Sequence, residues 1–226
     1  MTNKKLLLPV VVVLLTCGLF AAPAFADISL FDWAGNIDGI ISSPPGMDLS
    51  AFDDITGLGI ITVTVSGAGS HYVGLFVDHE IDEAINTFYN ENGDVVGSPA
   101  TGQSWEIDEP GYVFGDIYGN FLGSALDGSN GVPAGSEDDV SMALGWDFDL
   151  ADLPALITFN LSDTAPPGGF YLRQYDPDSD ASVYFSSSLR ATVVPVPGAV
   201  LMGSIGIGFA GWLSKRRELK GFFARK

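Results

Sequence analysis

The chain is expected to fold as an all-β, antiparallel β-sandwich or jelly roll, and three observations carry that expectation. Short stretches alternate apolar and polar residues with a period of two, the pattern of strands that turn one face to a core. They recur about every ten residues, separated by clusters of glycine, proline and aspartate. The strand–helix alternation that builds a parallel sheet is missing.

In chain order, Ile28 to Gly39 carries Phe31 and Trp33 around Asp32 and suits a first edge strand. Ile41 to Asp54 contains Pro44-Pro45-Gly46 and reads as loop. Ile61, Val63 and Val65 alternate with Thr62 and Thr64, and Tyr72 to Val77 returns after Gly67-Ala68-Gly69-Ser70, which predicts a hairpin. Ile81, Ala84, Ile85 and Phe88 follow helical spacing, so Asp78 to Asn90 reads as a short amphipathic helix capped by Asp78. Asn86 and Thr87 weaken that helix. Asn92-Gly93-Asp94 is a turn and Ser104 to Ile107 a short strand. Met142, Leu144, Trp146 and Phe148 then share one strand face, and Ile157, Phe159 and Leu161 repeat the pattern. Phe170 to Tyr175 and Val183 to Val193 complete the set.

Both ends of the chain read as addresses. Lys4 and Lys5, the apolar run Leu6 to Phe20 and the small-x-small site Ala24-Phe25-Ala26 form a secretory signal, with cleavage after Ala26. Lipidation at Cys17 is the competing reading, although Thr16 is a poor predecessor for it. Cleavage after Ala26 removes that single cysteine, so the mature chain has no disulfide, thiol nucleophile or cysteine metal site. Three segments result: signal peptide 1–26, an acidic β-sandwich domain 27–193 and a C-terminal segment 194–226.

The middle segment is extreme in charge. Eight of the ten basic residues lie in the two end segments, leaving Arg173 and Arg190. Of the 28 acidic residues only Glu218 lies outside, so the body is lysine-free with a net charge near −25. Such a field excludes nucleic acid as a partner, repels anionic polymers and draws in cations. Roughly 170 residues rich in aromatic and β-branched side chains can still bury one core.

The C-terminal segment joins Val194-Pro195-Val196-Pro197, an apolar stretch over 198–214 and the basic stop Lys215-Arg216-Arg217. The stretch is near the length that spans a ~30 Å hydrocarbon layer, and its small-residue pairs suit close helix approach. The basic stop favours a cytoplasmic C-terminus. The whole resembles the sorting signal of PEP-CTERM proteins, which exosortases process in exopolysaccharide-producing Gram-negative bacteria. That family's motif usually reads Val-Pro-Glu-Pro, and Val196 makes this one similar to the VPLP-like variant. The resemblance covers Val194 to Arg217. It implies transient arrest in the inner membrane, cleavage near Pro195 to Pro197 by an exosortase partner, and release to the cell surface. It further implies a structural or adhesive role in the polysaccharide matrix. A retained tail is the alternative, which would make the body a membrane-anchored carbohydrate- or calcium-binding module.

Candidate chemistry in the body is sparse, and the chain is expected not to be an enzyme. Asp176, Asp178 and Asp180 alternate in one loop, an arrangement that can converge carboxylates on Ca²⁺. An EF-hand is ruled out by Ala181 and Ser187 at its glycine and glutamate positions, so ligands from Glu137-Asp138-Asp139 would have to help. Ca²⁺ is therefore the one cofactor expected, and no catalytic residues are. His71 and His79 lack the spacing of a zinc-protease helix. Tyr171, Tyr175 and Tyr184 offer faces for sugar rings, and equally suit an ordinary sandwich surface.

Overall fold

The computed structural model describes residues 27–83, 87–151, 153–179 and 181–191. Ala24, Ala26, Val194 to Pro197, Lys215 to Arg217 and Asp180 lie outside the described residues. Within them the chain runs β1 (Ile28–Ile37), β2 (Ile40–Ser42), β3 (Met47–Phe52), β4 (Gly59–Val65), β5 (Gly69–Ile81), β6 (Asn92–Val96) and β7 (Gln103–Asp108). A short helix α1 (Ile117–Leu122) follows, then β8 (Ser141–Leu150), β9 (Ala155–Ser162), β10 (Tyr171–Tyr175) and β11 (Ser182–Ala191).

The strands form two sheets, one in the order β2-β1-β5-β8-β7 and one in the order β3-β4-β9-β11-β10-β6. Neighbouring strands are antiparallel throughout. Val73, Leu75 and Val77 of β5 and Met142, Leu144 and Trp146 of β8 meet Ile61 and Val63 of β4, Ile157, Phe159 and Leu161 of β9, and Phe185 of β11. One continuous apolar cluster thus joins both sheets, as the two-layer expectation requires.

Several local expectations are corrected. β4 and β5 are not a hairpin: β4 pairs with β3 and β9, whereas β5 pairs with β1 and β8, so the Gly67–Ser70 turn carries the chain between sheets. β1 is not an edge strand. Asp38 and Gly39 both take positive φ (51° and 84°), the backbone of a type I′ turn, and fold β2 back against its outer side. The segment read as loop over Ile41 to Asp54 holds most of β2 and all of β3. Asn92-Gly93-Asp94 opens β6 instead of turning. From Asp78 the chain stays extended to Ile81, so the described start of the expected helix is strand; residues 84–86 lie outside the description.

The helix lies elsewhere, in the long crossover from Glu109 to Val140. Ile117 and Phe121, one turn apart, are fully buried against Ala34, Phe76 and Ala143 on the outer face of the first sheet. Asn36 Nδ2 donates to Phe121 O at 2.9 Å, and residues 128–131 run along β7 through Gly128 N→Trp105 O (2.9 Å) and Gly131 N→Ile107 O (2.8 Å). The crossover is strapped across that face. Among the described residues, no helix is long and apolar enough to cross a membrane.

Candidate functional site

Strand alternation turns Val73, Leu75 and Val77 of β5 to the core, and therefore Phe76, Asp78 and Glu80 to the outer face beneath the strap. Cross-strand partners share a face, so the register Asp32↔Asp78, Asp78↔Ser141 and Ser141↔Asp108 draws a polar row across four strands. Just past the last rung of that register lie Glu80 on one chain segment and Asp139 on the other, near enough for Asp139 to act electrostatically on Glu80. Glu106, opposite Ala143, adds a further carboxylate to this face.

These acids are held away from water, and their proton affinities rise accordingly. Burial pushes Asp78 up to about 8, reinforced by Asp139, while the bond from Ser141 Oγ (2.9 Å) works the other way. Burial likewise lifts Glu80 to about 7, with Asp139 and Glu83 adding repulsion. Asp139 rises to about 6 through burial and then through Asp138 and Glu109. Glu91 rises to about 9, chiefly by burial; it accepts from Ile81 N at 2.9 Å and from the Gln174 side-chain amide, and so ties β5 to β10.

Beside this row opens a cleft of about 410 Å³. Phe88 and Tyr89 approach it from the segment before β6, and Pro110, Tyr112, Val113 and Phe114 from the start of the strap. Glu109, Asp138 and Asp139 supply its carboxylates. The aromatic residues are exposed, Phe114 by 69% and Tyr89 by 53%, whereas the three acids are half-buried. Two links set this geometry, one between main chains and one between side chains. Glu91 and Asp138 exchange main-chain hydrogen bonds at 3.1 Å, placing residues 137–139 against the start of β6. Tyr112 Oη donates to Asp32 Oδ2 at 2.9 Å and its ring lies 6.3 Å from both Phe31 and Tyr118. Gly115, at φ 74°, lets the strap pass where a Cβ would collide with the Glu109 carbonyl oxygen.

A second acidic group stands on the same sheet face. Single oxygens of Glu106, Asp108 and Asp116 lie within 4.8 Å of one another. Protein donors already serve them: Asn120 Nδ2 reaches Glu106 Oε1 (2.9 Å) and Asp116 Oδ1 (3.0 Å), Asp127 N reaches Glu106 Oε2 (3.1 Å), and Asp116 N reaches Asp108 Oδ2 (2.9 Å). This group fastens the strap to β7.

The residues singled out in the sequence are placed as follows. Asp176 is fully buried at the β10–β11 turn, where its Oδ1 accepts from Asp178 N at 2.7 Å. Asn90 Nδ2 lies 3.3 Å from Asp176 Oδ1 and 3.4 Å from Asp178 Oδ2, so an amide donor bridges the pair. Asp138 and Asp139, considered as helpers for that loop, face the aromatic cleft instead. His71 pairs with Asp38 at 2.8 Å, while His79 is fully buried with Nε2 against Gly57 O, and burial holds it down at about 4. Eight residues of extended strand part the two by ~26 Å, too far to share an ion. Tyr171 and Tyr184 stack edge to face at 5.8 Å, and the Arg173 guanidinium sits 4.2 Å over Tyr175, a separate half-buried surface on the second sheet. The cleft itself was missed. Its sequence signal is the exposed apolar run Tyr112-Val113-Phe114 directly after Pro110-Gly111, in a segment with no strand pattern. Comparison of the chain with protein-family models, with curated proteins and with solved structures finds no match.

Proposed function

We propose that this is an exported surface or extracellular-matrix protein whose sandwich body binds neutral saccharide in the aromatic–carboxylate cleft. The single observation that carries the reading is the pairing of exposed rings with half-buried acids in one cavity. Apolar sugar faces stack on rings, and carboxylates accept hydrogen bonds from sugar hydroxyls. A cavity near 410 Å³ lies in the range of small-ligand sites. The body charge near −25 argues for uncharged ligands over acidic polymers. Binding here serves adhesion within an exopolysaccharide matrix, without catalysis.

Export and sorting belong to the same proposal. The signal segment with Ala24 and Ala26, the Val194-Pro195-Val196-Pro197 motif, the membrane-length stretch and Lys215-Arg216-Arg217 support secretion, membrane arrest and exosortase processing. The retained-tail alternative leaves the same cleft on a membrane-anchored chain. Calcium at Asp176, Asp178 and Asp180 belongs to that alternative. It asks Asn90 to turn its amide so that Oδ1, which is buried without a partner, faces the aspartates.

The test is titration of the full chain with neutral oligosaccharides. Binding is expected to weaken about tenfold or more in Tyr112→Ala and in Phe114→Ala. Unchanged affinity in both variants, or no saccharide bound at all, overturns the reading.

A further inference from the structure

We propose that a divalent cation, Ca²⁺ by its ligand chemistry, binds between the carboxylates of Glu80 and Asp139, where the outer face of the first sheet meets the cleft. Glu80 follows and Asp139 precedes the last paired rung of β5 and β8, Asp78↔Ser141, each by two residues, and the Asp139 charge acts on Glu80. Glu80 is only 8% exposed, and its Oε2 is shut off from solvent without a hydrogen-bond partner. Asp139 Oδ1 is in the same condition. Neighbouring acids resolve this need with protein donors: Glu106 takes Asn120 and Asp127, Asp78 takes Ser141, and Glu91 takes Ile81 and Gln174. Among the described residues, Glu80 and Asp139 are the acids with a buried oxygen that no protein donor meets.

No cationic side chain among the described residues stands against this pair. Among the described residues the arginines are Arg173 and Arg190, both on strands of the second sheet, and Arg173 is engaged with Asp94 at 3.3 Å and with Tyr175. His79 points to the core, and His71 lies at the far end of β5 beside Asp38. The charge that surrounds the pair is all of one sign: Asp78, Glu83, Glu91, Glu109 and Asp138 act on one or both carboxylates. A hard divalent ion relieves that repulsion and accepts six to eight oxygens at about 2.3–2.6 Å. Two carboxylates leave coordination positions open toward the cleft, where water or the hydroxyls of a bound sugar can complete it. That last step rests on the saccharide reading; the ion site does not.

The test is CaCl₂ titration of the full chain by calorimetry and thermal melting, against EDTA. Wild type is expected to bind Ca²⁺ with a higher melting temperature, and Glu80→Gln and Asp139→Asn each to lose both responses. Both variants remove a repelling charge, so in EDTA they melt at or above wild type, which separates lost binding from lost folding. Asp176→Asn is expected to keep the response. No Ca²⁺ response in wild type, or a response lost in Asp176→Asn and kept in the other two, overturns the site. A Ca²⁺ response without saccharide binding supports the site and sinks the saccharide reading. Saccharide binding without a Ca²⁺ response does the reverse.

Discussion

The two sheets of this sandwich obey the same alternation and live in different surroundings. Along β9 the residues switch between buried and half-buried at every step, with Thr158, Asn160 and Ser162 left in contact with water. Along β5 every residue from Tyr72 to Ile81 is buried, on both faces. The difference is the Glu109–Val140 strap, which roofs one outer face and leaves the other bare. An outward polar residue on β9 costs nothing, because water serves it. An outward carboxylate on β5 must find a donor, a proton or an ion. Chemistry collects on the sheet that is covered twice.

Removing the roof is the strongest way to break that contrast. Phe121 is fully buried and packs against Phe76 and Tyr118 at 5.9 and 6.1 Å. Phe121→Ala is expected to cost about 3–5 kcal/mol in denaturant unfolding, from lost burial plus the cavity. It also returns Asp78 and Glu80 toward ordinary carboxylate behaviour by letting water reach them. A cost below about 1 kcal/mol would mean that the strap is not docked.

The next effect is read from pH. Asp78, Glu80, Glu91, Glu106 and Asp139 all have folded-state proton affinities above their unfolded values, so the folded chain holds protons that the unfolded chain releases. Stability therefore falls as pH rises from about 4 toward 9. His79, held down at about 4, opposes this, losing stability as pH drops from 6.5 to 4. The carboxylates outnumber it, so the net decline begins from about pH 4 and these groups place the optimum at or below that pH. Asp78→Asn keeps an acceptor for Ser141 Oγ and removes the ionisable group. It is expected to flatten the decline and to gain on the order of 2 kcal/mol at pH 9 over wild type. Parallel pH profiles for the two proteins would show that Asp78 ionises freely in the fold.

The same contrast explains what the sequence made legible. β8 and β9 were readable because one side of each is apolar and the other small, polar or acidic. That pattern reports a buried face; it does not report the partner sheet, which is why β4 and β5 passed for a hairpin. The end of β5 was misread because Asp78 and Glu80 look solvent-facing, while Ile81, Ala84, Ile85 and Phe88 happen to fall at helical intervals. α1 spans six residues with Gly119 inside it, too short for periodicity to show. The cleft draws on residues 88–89, 109–114 and 138–139, which only the strap and the Glu91–Asp138 pairing bring together. No spacing within one segment could have announced it.

The smallest expected effect lies at the mouth of the covered sheet and bears on maturation. Asp82 is buried, takes a positive φ of 56° and accepts from Asp27 N at 2.6 Å, while its own N donates to Asp27 O at 2.7 Å. In a precursor that nitrogen is a neutral amide. If the proposed signal is cleaved after Ala26, that nitrogen becomes an α-ammonium facing a carboxylate, a charge-assisted bond roughly twice as strong. The chain that starts at Asp27, verified by intact mass, is expected to be about 1–2 kcal/mol more stable than the same chain extended by Ala26. Asp82→Asn should erase most of that difference. The advantage requires the protonated amine, so it is present at pH 7 and shrinks by pH 10, beyond the ordinary α-amino range of ~8. Equal melting of the two forms at pH 7 would mean that cleavage releases β1 without seating it. A clear difference would make the removal of the signal a folding step for the one sheet whose buried acids need every partner they can reach.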